Sequence, residues 1–78
     1  MKKKIAILGS TGSIGKTLLK IIEKDKKKFQ IELLTTNKNY NKLFEQAKIF
    51  KVKNLIVADK KSYLKLIKKD KKNQFNIF

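Results

Sequence analysis

"ILGSTGSIGKT", residues Ile7 to Thr17, decides how this chain is read, because two phosphate-binding loops share parts of its pattern. Read as G-x-x-G-x-x-G, it is the turn that opens a dinucleotide-binding βαβ unit. Read from its far end, "GKT" is the tail of a Walker A loop, G-x-x-x-x-G-K-[ST]. That loop wraps phosphates in backbone amides while its Lys and Thr reach phosphate and magnesium. Counting back from Gly15, the first Walker glycine falls on Ser10, and the available glycine, Gly9, stands one place too early. The displacement changes the loop length on which a phosphate nest depends. An apolar strand ending in acid, "LIVAD" with Asp59, resembles a Walker B strand, but without the first loop Lys16 is an ordinary first-turn helix residue.

The dinucleotide reading uses all three glycines of the chain, Gly9, Gly12 and Gly15. A β-rich run, Lys4 to Leu8, precedes them and a helical pattern follows, which is the context the motif requires. Gly9 permits a tight turn out of the strand, Gly12 a close phosphate approach, and Gly15 close packing of the helix against the sheet. The first-turn amides around Thr11 to Ile14 face the ligand with the helix dipole behind them. Thr11 and Ser13 add hydroxyl donors.

Outward from the loop, Ile14, Leu18, Ile21 and Ile22 predict one buried face of a helix running to about Lys24. Phe29 to Thr36 is a second strand. Tyr40, Leu43, Phe44, Ala47 and Phe50 mark a second amphipathic helix, with Asn39 or Asn41 as its N-cap. Asn54 to Asp59 reads as a third strand, and Tyr63, Leu64 and Ile67 mark a third helix. The order β-α-β-α-β-α predicts an α/β fold with three parallel strands, half of a Rossmann-like doubly wound sheet. "QFNIF" at the end reads as the start of a fourth strand. Residues 1–78 are therefore expected to be part of a longer protein, with an unprotected sheet edge when alone.

The exit from the second strand carries an independent clue. NAD-binding units place an acid there, roughly 20 residues beyond the loop, to hold the ribose 2′-hydroxyl. Here the exit is Thr35, Thr36, Asn37, Lys38, Asn39, with no acid; Glu32 lies too early. An acid would repel a 2′-phosphate, whereas Lys38, with Thr36 and Asn39 beside it, attracts one. NADPH is expected over NADH.

Composition narrows the remaining classes. With no cysteine or histidine, the chain has neither a disulfide nor the commonest metal ligand and general base. None of its six acids has a claim to a metal: Glu23, Asp25 and Asp70 lie among lysines read as exposed, Glu32 is on a strand, Glu45 is on a polar helix face, and Asp59 caps the third helix. No apolar run is long enough to span a membrane, and Ile5 to Leu8 is too short for a signal-peptide core, so a cytoplasmic protein is expected. The net charge of +15 would ordinarily suggest nucleic acid. All 21 basic residues are lysine, however, whereas nucleic-acid sites favour arginine. A Lys-, Asn- and Ile-rich composition fits an A/T-rich genome writing its solvated positions.

"KIAILGSTGSIGKTLLKII" closely resembles the start of the 1-deoxy-D-xylulose 5-phosphate reductoisomerases, NADPH-dependent enzymes of the methylerythritol phosphate route to isoprenoids. Phe29, "NKN", "LFEQAKIFKVKNLIVAD" and "YLKLIK" continue the likeness to about residue 69. Aspartate-semialdehyde dehydrogenases open with a related loop, but the long continuation favours the reductoisomerase. The resemblance implies that Thr11, Gly12, Ser13 and Ile14 contact the pyrophosphate region, and that Lys38 and Asn39 contact the adenosine ribose phosphate. Where this chain has Asn37 the family often has glycine; Asn tolerates a left-handed turn better than most residues. The resemblance also implies a homodimer, a sugar-phosphate substrate, and Mg²⁺ or Mn²⁺ held by acids outside these residues. The alternatives are another NADPH-using enzyme, a P-loop nucleotide-binding fragment, and, from a different class, a basic module that binds nucleic acid.

Overall fold

Each short apolar run bounded by glycine, asparagine or lysine becomes a strand, and each amphipathic stretch between them a helix. The computed structural model describes residues 2–78. Its elements are β1 (Lys3–Ile7), α1 (Ser13–Glu23), β2 (Phe29–Thr36), α2 (Tyr40–Phe50), β3 (Asn54–Val57), α3 (Lys60–Lys69) and β4 (Asn76–Ile77). All strand pairs are parallel and the strand order is β1-β2-β3-β4. The fold is Rossmann-like α/β, as the β-α-β-α-β-α pattern predicts. "QFNIF", read as the start of a fourth strand beside the three of the pattern, supplies the two-residue β4 against β3.

Sequential parallel strands joined by right-handed crossovers place every helix on the same face of the sheet. The core agrees: Leu19 and Ile22 of α1, Leu43 and Ala47 of α2, and Leu66 of α3 form one cluster with Ile7, Leu34, Leu55 and Val57. The half of a doubly wound sheet read from the sequence is thus covered on one side.

Two predicted helix faces are displaced. In α1 the buried residues are Gly15, Leu19 and Ile22, while Ile14, Leu18 and Ile21 are 80%, 44% and 58% exposed. The helix has two adjacent apolar stripes, and the buried one contains Gly15, whose missing side chain lets the helix approach the backbone of Gly9 and Ser10. In α3 the buried residues are Ser62 and Leu66, and Leu64 and Ile67 are exposed. β1 and β3 also end before the expected Leu8 and Asp59.

Asp70 is a further correction. It is 3% exposed, although read among exposed lysines. Its carboxylate accepts the amides of Gln74 (3.1 Å) and Phe75 (3.0 Å), which turns the chain from α3 into β4. Phe75 then meets Phe44 of α2 edge-on, with ring centroids 5.5 Å apart.

β1 and β2 do not pair evenly. Ile5 opposes Ile31 but Ala6 opposes Leu33, so Glu32 is an extra residue in β2, a β-bulge. The Asn54 side chain donates to the Glu32 carbonyl at 3.0 Å. The bulge explains how Ile31 and Leu34, an odd number of residues apart, are both buried.

Candidate functional site

Gly9 leaves β1 with φ +67°, the left-handed region in which a side chain is strained. The Gly9 amide donates to the Thr35 hydroxyl and the Ser10 amide to the Thr35 carbonyl, both at 2.9 Å. The Gly12 amide closes a turn onto the Gly9 carbonyl at 3.0 Å, and Lys16 makes the first helical bond, onto the Gly12 carbonyl. Beside it, the hydroxyls of Thr11 and Thr36 share a hydrogen bond of 2.7 Å. The end of β2 therefore grips the loop through Thr35 and Thr36, and the Thr11 hydroxyl, expected as a donor to the ligand, shares a hydrogen bond with Thr36.

The amides that remain are those of Thr11, Ser13, Ile14 and Gly15. Among the described residues none accepts a hydrogen bond from them. Gly12 is the N-cap of α1 and offers no side chain, and no acid stands in the first turn. The other two helices are capped: Asn39 accepts the Lys42 amide at 3.3 Å, and Asp59 accepts the Ser62 amide at 3.0 Å. An uncapped N-terminus with its dipole unopposed suits an anion.

The three glycines differ in what demands them. Gly9 is fixed by its φ. A Cβ on Gly15 would collide with the Gly9 carbonyl and lie 2.6 Å from the Ser10 Cα, so this glycine admits the loop's own backbone rather than the sheet. Gly12 has ordinary extended geometry, and a Cβ there would meet only the Gly9 carbonyl, at 3.4 Å. The fold alone does not require glycine at Gly12.

Asn37, Lys38 and Asn39 follow β2 at once, so the grip of Thr35 and Thr36 sets them beside the glycine loop; all three are exposed. The Ala58 amide donates to the Thr36 carbonyl and the Asp59 amide to the Asn37 carbonyl, each at 3.0 Å. Among the described non-glycine residues only Lys51 and Asn73 have positive φ, so Asn37 needs no left-handed turn. Of the two cap candidates for α2, Asn39 serves; Asn41 accepts from Lys69 instead. Asp59 is held below its ordinary pKa, first by the Ser62 hydroxyl, then by the Ser62 amide, with Lys38 and Lys61 adding to the effect.

Three residues of this arrangement escape a motif reading, Ser10, Thr35 and Gln46, while Thr36, read as a donor beside Lys38, is 5% exposed and bonds to Thr11 instead. Ser10 is fully buried, and Gln46 on α2 is 5% exposed. The Ser10 hydroxyl donates to Gln46 Oε1 at 2.8 Å, and Gln46 Nε2 donates to the Ser10 carbonyl at 2.9 Å. The available signal is Gln46's place on the apolar stripe of α2, beside Leu43 and Ala47, where a polar side chain needs a buried partner.

The acids stay apart. Asp25 pairs with Lys28 at 3.4 Å, and among the described residues no three metal-ligating side chains gather. No helix of the described residues is long and apolar enough to cross a membrane.

A glycine turn with a left-handed first residue, leading to an uncapped helix at the carboxyl ends of parallel strands, defines a Rossmann-like βαβ unit. The family model of 1-deoxy-D-xylulose 5-phosphate reductoisomerase matches residues 5–78. The chain belongs to that family. The enzyme of Pelagibacter ubique is 62% identical over 97% of this chain, and that of Phocaeicola vulgatus 44% over 85%. The Zymomonas mobilis reductoisomerase solved with NADPH superposes with a TM-score of 0.90 at 30% identity, over 99% of this chain. A reductoisomerase solved with NADPH, fosmidomycin and magnesium gives 0.89 at 31% identity, over 97%. The chain spans 20% of the Pelagibacter and Zymomonas proteins and 17% of the Phocaeicola protein.

Proposed function

We propose that residues 1–78 are the N-terminal part of an NADPH-binding domain, serving the conversion of 1-deoxy-D-xylulose 5-phosphate to 2-C-methyl-D-erythritol 4-phosphate. The observation that carries this is the uncapped N-terminus of α1, whose Thr11, Ser13 and Ile14 amides have no internal acceptor. Gly9 and Gly15 shape the turn, and Gly12 leaves room for the pyrophosphate to approach the backbone. Lys38, with Asn37 and Asn39, holds the 2′-phosphate of the adenosine ribose. Relatives solved with NADPH support the same cofactor.

NADPH supplies the hydride when bound; the residues described here bind and orient it. The substrate phosphate, the Mg²⁺ or Mn²⁺ ligands and the homodimer interface belong to other parts of the protein. The six acids described above do not gather into a metal site. Cytoplasmic location and absence of nucleic-acid binding complete the proposal.

Competition binding tests it. NADPH should bind more tightly than NADH and displace it. Binding of ATP·Mg²⁺ without NADPH would restore the P-loop alternative, and steeply salt-dependent DNA binding with no effect of NADPH would make this a nucleic-acid module.

A further inference from the structure

We propose that Gln46 is a positioning residue for the cofactor loop, although it lies on α2, outside the glycine motif and the β2 exit. The inference rests on the loop being the NADPH site. Gln46 spends both ends of its amide on one residue 36 positions away, taking the Ser10 hydroxyl at 2.8 Å and giving its NH₂ to the Ser10 carbonyl at 2.9 Å. The Ser10 amide is already held by the Thr35 carbonyl at 2.9 Å. Every polar group of Ser10 is thus committed inside the protein, and Ser10 itself offers nothing to a ligand.

The third constraint comes from α1. Gly15 presses on Ser10 so closely that its missing Cβ would lie 2.6 Å from the Ser10 Cα. Ser10 is clamped between α1 on one side and Gln46 on the other. The next residue is Thr11, whose amide is the first of those left free. With Ser10 immobile, the free amides of Thr11, Ser13 and Ile14 hold their direction before a pyrophosphate arrives, and the ordering cost of binding falls. Buried, fully satisfied polar networks give this kind of rigidity, and a half-broken one leaves the loop with an unpaired carbonyl.

The test is the ligand dependence of the loss. Gln46→Met keeps the length of the side chain and removes both hydrogen bonds. NADPH affinity should fall about tenfold, ~1.4 kcal/mol. Adenosine 2′-phosphate, which has no pyrophosphate and needs only the β2 exit, should keep its affinity within about twofold. A residue important only for stability would lower both affinities together or neither, and either result overturns the proposal. Ser10→Ala removes the hydroxyl arm alone and should weaken NADPH by about threefold in the same selective way. It carries the test should Gln46→Met fail to fold.

Amide hydrogen exchange at Thr11, Ser13 and Ile14 separates this inference from the cofactor assignment. Faster exchange in the variants supports the positioning role even if the chain binds no NADPH, which would defeat the cofactor assignment alone. Unchanged exchange with unchanged NADPH affinity overturns the role of Gln46.

Discussion

Gly15 and Ser10 are in contact through the absence of a side chain: a Cβ on Gly15 would stand 2.6 Å from the Ser10 Cα and 2.8 Å from its carbonyl carbon. Both positions are backbone and neither can swing aside. Gly15→Ala is therefore expected to destabilise the fold by about 1–3 kcal/mol, the usual cost of overpacking. Gly12→Ala, whose Cβ meets only the Gly9 carbonyl at 3.4 Å, should leave the urea midpoint almost unchanged. Its loss should appear in NADPH titration. Equal destabilisation by the two substitutions would contradict the different roles assigned to them.

Lys38 is the cation proposed to meet the 2′-phosphate. Lys38→Glu should weaken NADPH by at least about tenfold, since a charge-assisted contact becomes a repulsion. NADH, which has no 2′-phosphate, should change little. Calorimetric titration of the two cofactors measures the ratio, and parallel losses would move the 2′-phosphate away from Lys38.

Asp59 couples the β3 exit to α3 through Ser62, and its pKa lies below the ordinary 3.8. A lowered carboxylate pKa means that the folded state favours the ionised form. The contribution is fully present above the ordinary value and is lost as pH falls through the lower folded value. Asp59→Ala should therefore lower the thermal midpoint at pH 7. The gap to the parent protein should narrow once the pH drops below 3.8. A gap that stays constant down to pH 2 would show that ionisation of Asp59 does not matter.

Asp70 is buried and holds two amides of the turn that leads to β4. Asp70→Ala should cost about 1.5–3 kcal/mol, the range for hydrogen bonds to a charged group. Hydrogen exchange should accelerate at Asn76 and Phe78, whose amides bond to Lys53 and Leu55, before it changes in β2.

Much of this was legible in the sequence, and the failures have definite causes. The bounds of β2 and α2 follow from the pattern, β2 as a β-rich run between Lys28 and Asn37 and α2 as a helical repeat of apolar residues from Tyr40 to Phe50. The face of α1 does not, since Ile14, Leu18 and Ile21 are as apolar as Leu19 and Ile22, and only the glycine contact decides between them. Asp70 sits in a lysine run that gives no sign of burial; its role emerges when the chain turns back to pair with β3. Gly9 and Gly15 were readable as a loop, but the partners that fix that loop come from β2 and α2, and no local pattern pairs Ser10 with Gln46.

The bulge at Glu32 absorbs one residue without changing the phase of the strand beyond it. An in-frame deletion of that one codon would leave the remaining strand evenly paired, Ile31 with Ile5, Leu33 with Ala6 and Leu34 with Ile7. Ile31 and Leu34 would then stand two residues apart on one face, and the two threonines would keep the sides from which they hold Gly9 and Thr11. A single-residue deletion scan of β2 should therefore find the loss of Glu32 tolerated, a property that a scan of substitutions alone would not register.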